Sequence, residues 1–185
     1  MAATLAVALM LTGQAVNGQT DIPAGQTEGP SSTVDDPLQE ARSLAASGDT
    51  QTAVEKLDQL ADGDADEGVK VQARYLKGMV LLGAGDKDSA AEAFQALIAD
   101  YPALPEPYNN LAAIHAAEGE LDRARELLET LVARQPDYAI GYENLGDVYA
   151  KLAADAYGRA SELAQDPGQL PQKLDLLNQL FGPSN

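Results

Sequence analysis

A spacing of 34 residues between chemically similar positions is the feature that most constrains how this chain can fold. Identical residues recur at this interval in six pairs: Pro102/Pro136, Gly85/Gly119, Ala90/Ala124, Tyr108/Tyr142, Asn110/Asn144 and Leu111/Leu145. The small residues Gly78, Ala112 and Gly146 form a three-membered series at the same spacing. Because independent positions share one period, the sequence predicts a repeat architecture in which each unit packs on the next.

The recurring residue types are those that a hairpin of two helices in each unit would require. Gly85 and Gly119 stand where a first helix would end, a place at which a left-handed residue satisfies the last carbonyls. Asp86 and Glu120 follow them and favour the first turn of a second helix. The small residues let the two helices cross closely, and the prolines end each second helix.

This pattern resembles the tetratricopeptide repeat family, whose units combine small and aromatic positions with a final proline. The resemblance implies an all-α fold, a right-handed helical-hairpin solenoid of about 3–4 repeats with a C-terminal capping helix. In register, 71–104 and 105–138 are clear repeats, 34–68 is a degenerate one and 139–166 is atypical, so the solenoid covers 37–166. The atypical unit lacks the glycine–acid turn, and its apolar residues continue at helical spacing, which predicts one long helix over about 139–164.

Residues 167–185 are expected to form a C-terminal helix and tail. Leu170, Leu174, Leu177 and Phe181 share one face of this helix. Because the last repeat of a solenoid exposes an apolar edge, we expect the helix to cap that edge. The same four residues also fit a short a/d seam, so a helix that dimerises or binds a partner remains the alternative.

The N-terminal segment predicts export. The run Ala2–Leu11 is apolar and uncharged, too short to span a bilayer and of the length of a signal-peptide core, although no Lys or Arg precedes it. We therefore expect a signal peptide at 1–18, a flexible Gly/Pro/acid-rich linker at 19–36, and a periplasmic or secreted chain that does not span the membrane after cleavage. The alternative is an apolar N-terminus on a cytosolic protein.

Composition and charge exclude several classes of function. A net charge of -17 argues against nucleic acids and anionic membrane surfaces as partners, because like charges repel. The absence of Cys excludes thiolate catalysis and Cys-ligated metals, and the single His excludes a multi-His metal site. No phosphate loop, nucleophile elbow or catalytic carboxylate pair occurs in the sequence. We therefore predict a protein that is not an enzyme, with no cofactor, no metal and no small-molecule substrate.

Two local patterns suggest chemistry but are explained more simply. Asp62, Asp64 and Asp66 have the spacing that begins a calcium-binding loop. The required Gly and Glu of such a loop are replaced by Glu67 and Ala73, so a solvated acidic loop is the better interpretation. His115 occupies a repeat position at which the family has an aromatic residue, and we expect it to pack between helices.

The family resemblance places the binding surface on the concave face, which is lined by the first helices. Carried over residue by residue, it marks as peptide-binding candidates Tyr75, Met79, Glu106, Asn109, Asn110, Glu143, Asn144 and Asp147. Some family members clamp a C-terminal carboxylate with basic residues. The matching positions here hold Glu106, Leu76 and Ile140, so this clamp is absent.

These residues predict the class of ligand. Paired Asn side chains can bridge the backbone of an extended peptide, since each offers donors and an acceptor. Apolar groups would fill the end near Tyr75, Leu76 and Met79, and carboxylates would suit Lys or Arg. We predict a scaffold or adaptor that binds an extended, neutral-to-basic segment of another protein. The alternatives are a merely solvated inner face, a groove covered by the C-terminal helix, or a self-associating element that forms a homodimer.

Overall fold

The computed structural model describes residues 36–181 of the 185-residue chain. Within this range it has no strand and eight α-helices: α1 (Gln39–Ala46), α2 (Thr50–Asp62), α3 (Glu67–Gly83), α4 (Lys87–Asp100), α5 (Pro105–Ala117), α6 (Leu121–Arg134), α7 (Ala139–Leu163) and α8 (Leu170–Leu180). Each helix packs against the next one in the chain, which confirms the predicted all-α solenoid of hairpins. The signal peptide expected at 1–18 and nearly all of the linker expected at 19–36 lie outside the described residues.

The turns inside the first three hairpins share one geometry. A left-handed glycine ends the first helix in each of them, with φ of 86°, 86° and 81° at Gly48, Gly85 and Gly119. In the second hairpin, the N–H of Asp86 donates to the carbonyl of Leu81 at 3.0 Å, the bond that closes a Schellman termination. The Asp86 carboxylate then accepts from the N–H of Ser89 at 3.1 Å and caps α4. The predicted role of these glycines is thus confirmed.

The small size of the residues at the crossing positions has a direct steric cause. A Cβ added to Gly78 would lie 2.6 Å from Cε1 of Phe94, whose side chain is fully buried between α3 and α4. Ala90 and Ala124, on the second helices, are also fully buried. Because interiors are close-packed, a larger side chain at any of these positions would separate the two helices of the hairpin.

The atypical unit at 139–166 departs from this arrangement, as its sequence predicts. Helix α7 continues without a turn for 25 residues, so no second helix folds back at the usual place. Gly146 has the same repeat position as Gly78, yet a Cβ there would meet no atom within 4 Å. The face of α7 that a second helix would normally cover is therefore open at Gly146.

Helix α8 packs against the C-terminal half of α7. The Nζ of Lys173 lies 5.1 Å from the ring centroid of Tyr157, and the Nζ of Lys151 lies 5.6 Å from that of Phe181. The predicted apolar face of α8 is half-buried on this side, at Leu170, Leu174 and Leu177. This face therefore contacts its own chain, as a capping helix does. No described helix is long and apolar enough to cross a bilayer.

Within residues 36–181, the hydrophobic core consists of three clusters that follow one another along the solenoid. The first joins the α1–α2 hairpin to α3 and contains Leu38 and Leu57. The second surrounds Phe94, between α3, α4 and α5. The third contains Leu128 and Leu131 of α6 and joins α5 to α7. This chain of clusters holds α3, α5 and α7 in sequence, and these helices carry the predicted groove.

Candidate peptide-binding groove

Asparagine side chains connect the first helices of three successive hairpins. The Nδ2 of Asn110 on α5 donates to the hydroxyl oxygen of Tyr75 on α3 at 3.0 Å. The Nδ2 of Asn144 on α7 donates to Oδ1 of Asn109 on α5 at 2.6 Å. Both bonds join residues 35 apart, so one contact is repeated at two consecutive steps of the solenoid. The structure thus brings four of the predicted site residues together as two pairs, Asn110 with Tyr75 and Asn144 with Asn109.

These bonds leave one set of amide groups available. The Nδ2 of Asn110 also donates to the carbonyl of Glu106 at 3.0 Å, so this nitrogen is fully used. Within the described residues, Oδ1 of Asn110, Oδ1 of Asn144 and Nδ2 of Asn109 have no protein hydrogen-bond partner. An extended peptide presents alternating N–H and C=O groups, which two acceptors and one donor can bind.

Tyr75 links the groove to the core. Its ring packs against Phe94 with centroids 5.9 Å apart and a tilt of 50°, while its hydroxyl reaches Asn110. Burial raises the pKa of Tyr75 above its ordinary value, the hydrogen bond with Asn110 opposes this, and the charge of Glu106 adds to the increase. The hydroxyl therefore keeps its proton near neutral pH and can donate it to a ligand carbonyl.

Three carboxylates flank the asparagines without compensating cations. Glu106, Glu143 and Asp147 are exposed, and no ion pair to any of them occurs among residues 36–181. The field of Glu106 also reaches Tyr138, whose pKa is raised first by burial and then by this carboxylate. This part of the groove is therefore negative and can attract Lys or Arg side chains.

The apolar end of the groove is smaller than predicted. Leu76, expected to line it, packs instead against the first core cluster beside Leu57. Met79 is half-buried and packs at the edge of the cluster around Phe94. The apolar end is smaller because the α1–α2 hairpin packs against this side of α3. There the Nζ of Lys77 also pairs with Oδ1 of Asp58 at 2.6 Å.

A polar contact at the turn of the third hairpin was not anticipated from the sequence. The Nδ1 of His115 lies 2.7 Å from a carboxylate oxygen of Glu120, and Arg123 donates to the same carboxylate at 2.8 Å. The hydrogen bond from Arg123 lowers the pKa of Glu120, burial opposes it, and the bond with His115 adds to the lowering. His115 thus does more than fill an aromatic position. The available signal was a Glu placed five residues after His across a glycine turn.

His115, Glu118 and Glu120 are also the one set of three potential metal ligands whose atoms approach one another in the described part of the chain. Because Arg123 and His115 already bind Glu120, the geometry does not require a metal ion there. The acidic stretch that begins at Asp62 does not form such a set. Its Asp66 precedes α3 as the N-cap residue, and Glu67 accepts a hydrogen bond from the hydroxyl of Tyr101.

Comparisons with known proteins agree with this architecture. Two sequence profiles described as tetratricopeptide repeat match residues 38–105 and 81–145. No curated protein sequence matches the chain. A crystal structure of MamA is similar, with a TM-score of 0.53, 20% identity, and coverage of 77% of this chain and 84% of that one. The structure of a MamA RS-1 ArsTM double mutant is also similar, with a TM-score of 0.52 and 24% identity, and with coverage of 80% of this chain and 78% of that one. These likenesses concern the fold.

Proposed function

Because the chain belongs to the tetratricopeptide repeat family, with residues 38–145 matched by its profiles, we propose that it is a non-enzymatic adaptor for another protein. The fold of this family is a scaffold for protein–protein interaction, and the specificity of a scaffold comes from its surface residues. The proposed ligand is an extended, neutral-to-basic segment. It lies along α3, α5 and α7 in the groove defined above.

The repeated asparagine contact is the observation that carries this proposal. The bonds of Asn110 to Tyr75 and of Asn144 to Asn109 fix the amide groups in one orientation at two consecutive steps. A ligand then meets preoriented acceptors and a donor, which lowers the entropy lost on binding. An irregular or folded ligand could not pair with such a regular row, whereas an extended backbone can.

The charge of the groove selects among extended segments. Glu106, Glu143 and Asp147 are exposed and carry no ion pair within the described residues, so an acidic ligand would be repelled and a basic one attracted. Charge complementarity of this kind mainly raises the association rate and specificity. We expect the affinity to fall as salt is added, because screening weakens attraction between exposed charges.

Export belongs to the same proposal. It is supported by the apolar, uncharged run Ala2–Leu11, which has the length of a signal-peptide core. A reporter fused after residue 36 tests it. Replacing Leu5, Leu9 and Leu11 by Asp should abolish export of the fusion, and a fusion that is still exported would contradict the assignment of Ala2–Leu11 as a signal-peptide core. A fusion with the unchanged sequence that stays in the cytoplasm would contradict export itself.

Binding is tested with an array of immobilised extended peptides whose charge varies from acidic to basic. The full chain should bind neutral and basic members, and the double variant Asn110→Ala with Asn144→Ala should lose this binding. Asn178→Ala is the matched control, because Asn178 is exposed on α8. Unchanged binding by the double variant would contradict the groove as the site.

A second pair of variants tests the role of charge. Glu106→Gln with Glu143→Gln should weaken the binding of basic peptides and leave that of neutral ones nearly unchanged. The control is Glu92→Gln with Glu126→Gln, which removes two exposed carboxylates from the second helices α4 and α6. If both pairs weaken binding equally, the effect comes from the net charge of the chain and the groove carboxylates have no special role.

A further inference from the structure

The exposed apolar side chains of the protein are concentrated at one end. Within the described residues, every large hydrophobic side chain that is exposed lies on α7 or α8 or directly after it: Ile140, Tyr142, Tyr149, Leu163, Leu176, Leu180 and Phe181. A terminal repeat normally has a polar outer face, which keeps a solenoid soluble. The last hairpin therefore presents a surface of the kind that protein–protein contacts cover.

One face of α7 carries an uninterrupted heptad pattern. Its members alternate at spacings of four and three residues over the length of the helix: Tyr142, Gly146, Tyr149, Ala153, Ala156, Ala160 and Leu163. None of these residues is charged. Three heptads of small and apolar residues form the seam of a coiled coil, and we refer to this set as the α7 seam.

The structure leaves the α7 seam open between two helices. Helix α6 packs on one side, where Leu145 and Val148 are buried, and α8 packs on another side, at Tyr157. Gly146 faces open space, and Leu163 is 86% exposed. The seam residues Ala156, Ala160 and Leu163 line a cleft of about 570 Å³, whose other side is the start of α6 at Leu121 and Asp122.

We propose that the α7 seam binds the α7 seam of a second copy of this chain, in an antiparallel dimer with two-fold symmetry. Six members of the seam are symmetric about the point midway between Ala153 and Ala156. An antiparallel arrangement centred there places Tyr149 opposite Ala160 of the second copy and Gly146 opposite its Leu163. Large residues thus meet small ones, and Ala153 of each copy meets Ala156 of the other at the centre. Such a contact is isologous and closes after two chains.

The repeat pattern gives an independent reason for this occupant. In the second hairpin, the position of Gly146 is held by Gly78, against which the chain's own second helix places Phe94. At Gly146 the chain supplies no such helix, because its second-helix residues continue α7. The α7 helix of a second copy would supply it. Within the seam, the orientation of Tyr149 is already fixed, since its hydroxyl donates to Glu129 at 2.8 Å.

Charge distinguishes this occupant from a basic partner. The seam residues themselves are uncharged, and the charged side chains that line the cleft beside them are of both signs, Asp122, Asp155 and Arg159, so the seam itself suits an apolar occupant. Each copy carries a net charge of -17, so two copies repel at long range and added salt should strengthen their association. Binding of a basic segment in the groove has the opposite dependence on salt, so the two interactions are separable.

Sedimentation equilibrium of the full chain at low and high salt tests the proposal. The wild type should form a dimer that becomes tighter as salt is added. Ala153→Glu places a carboxylate of each copy inside the apolar seam, directly beside the symmetry axis, while it retains good helix propensity, and it should raise the dissociation constant about tenfold or more. Ala133→Glu, at an exposed position of α6, is the matched control and should dimerise as the wild type does. Circular dichroism checks that both variants keep their helix content.

Oxidative cross-linking tests the geometry of the same dimer. The chain has no Cys, so Ala153→Cys and Ala156→Cys each introduce a single thiol, and these two thiols should face each other when the two variants are mixed. A disulfide forms only when the two Cα atoms are within about 7 Å, so efficient cross-linking requires the proposed register. Ala133→Cys should not cross-link. A wild type that stays monomeric at every salt concentration overturns the proposal. So does an Ala153→Glu chain that dimerises normally, or a dimer in which mixed Ala153→Cys and Ala156→Cys chains do not cross-link.

Discussion

Asn144 donates its side-chain amide to Oδ1 of Asn109 at 2.6 Å, and Asn110 has the same relation to Tyr75 one repeat earlier. In both cases the sixth residue of one repeat meets the fifth residue of the repeat before it. The repetition shows that successive first helices are offset by the same amount along the solenoid. The groove is therefore a regular surface, and its regularity depends on these side chains as well as on the core.

A double-mutant cycle measures how much Asn109 and Asn144 depend on each other. Each single substitution to Ala should lower the free energy of unfolding by about 0.5–1.5 kcal/mol, since it leaves a half-buried amide without its partner. The double variant should lose less than the sum, with a coupling of about 0.5–1 kcal/mol by urea denaturation. Asn178→Ala combined with Asn144→Ala should show no coupling. Strict additivity for Asn109 and Asn144 would mean that the bond contributes nothing to stability.

Gly78→Ala and Gly146→Ala should have effects of opposite sign, although the two glycines hold the same repeat position. The Cβ of Gly78→Ala would lie 2.6 Å from Phe94, so we expect a destabilisation of about 1–3 kcal/mol. The Cβ of Gly146→Ala would meet nothing within 4 Å, and Ala is a better helix former, so we expect a stabilisation of about 0.5–1 kcal/mol. Thermal and urea denaturation at low protein concentration, where dimers dissociate, would measure both. Two effects of the same sign would contradict the open face at Gly146.

Ala124→Leu tests the close crossing in the third hairpin. Ala124 is fully buried between α5 and α6, so the added carbon atoms should overpack the hairpin and cost about 1–3 kcal/mol of unfolding free energy. The matched control Ala133→Leu adds the same atoms at an exposed site of α6 and should change stability by no more than about 0.5 kcal/mol. If Ala124→Leu is tolerated as well as the control, the helices do not cross there.

The hairpins could be predicted from sequence because their causes are local. Gly85 and Gly119 adopt the left-handed conformation that the turn requires, and the missing turn after Gly146 makes one long helix. These features depend on residues within one unit. A single sequence contains enough information to place them.

The partners of the side chains could not be predicted in the same way. The sequence placed Asn109 and Asn144 on one face, but their bond depends on the offset between successive first helices, which no single repeat encodes. Leu76 was expected in the groove for a related reason. Its burial beside Leu57 depends on where the degenerate first hairpin packs.

The pKa of the Glu120 carboxylate should depend on Arg123. The hydrogen bond from Arg123 is the largest cause that holds the pKa of Glu120 below its ordinary value of 4.5, and the bond with His115 adds to it. Because folding lowers this pKa, the ionised Glu120 carboxylate stabilises the folded state. This stabilisation is complete above about pH 4.5 and is lost as the pH falls through the folded-state pKa. Arg123→Gln should therefore raise the pKa of Glu120 toward its ordinary value, measured by the NMR titration of its carboxyl carbon. Arg125→Gln is the control, because Arg125 pairs with Asp122 and Glu129 instead. A Glu120 titration that is identical in Arg123→Gln and the wild type would show that the hydrogen bond from Arg123 does not determine the pKa.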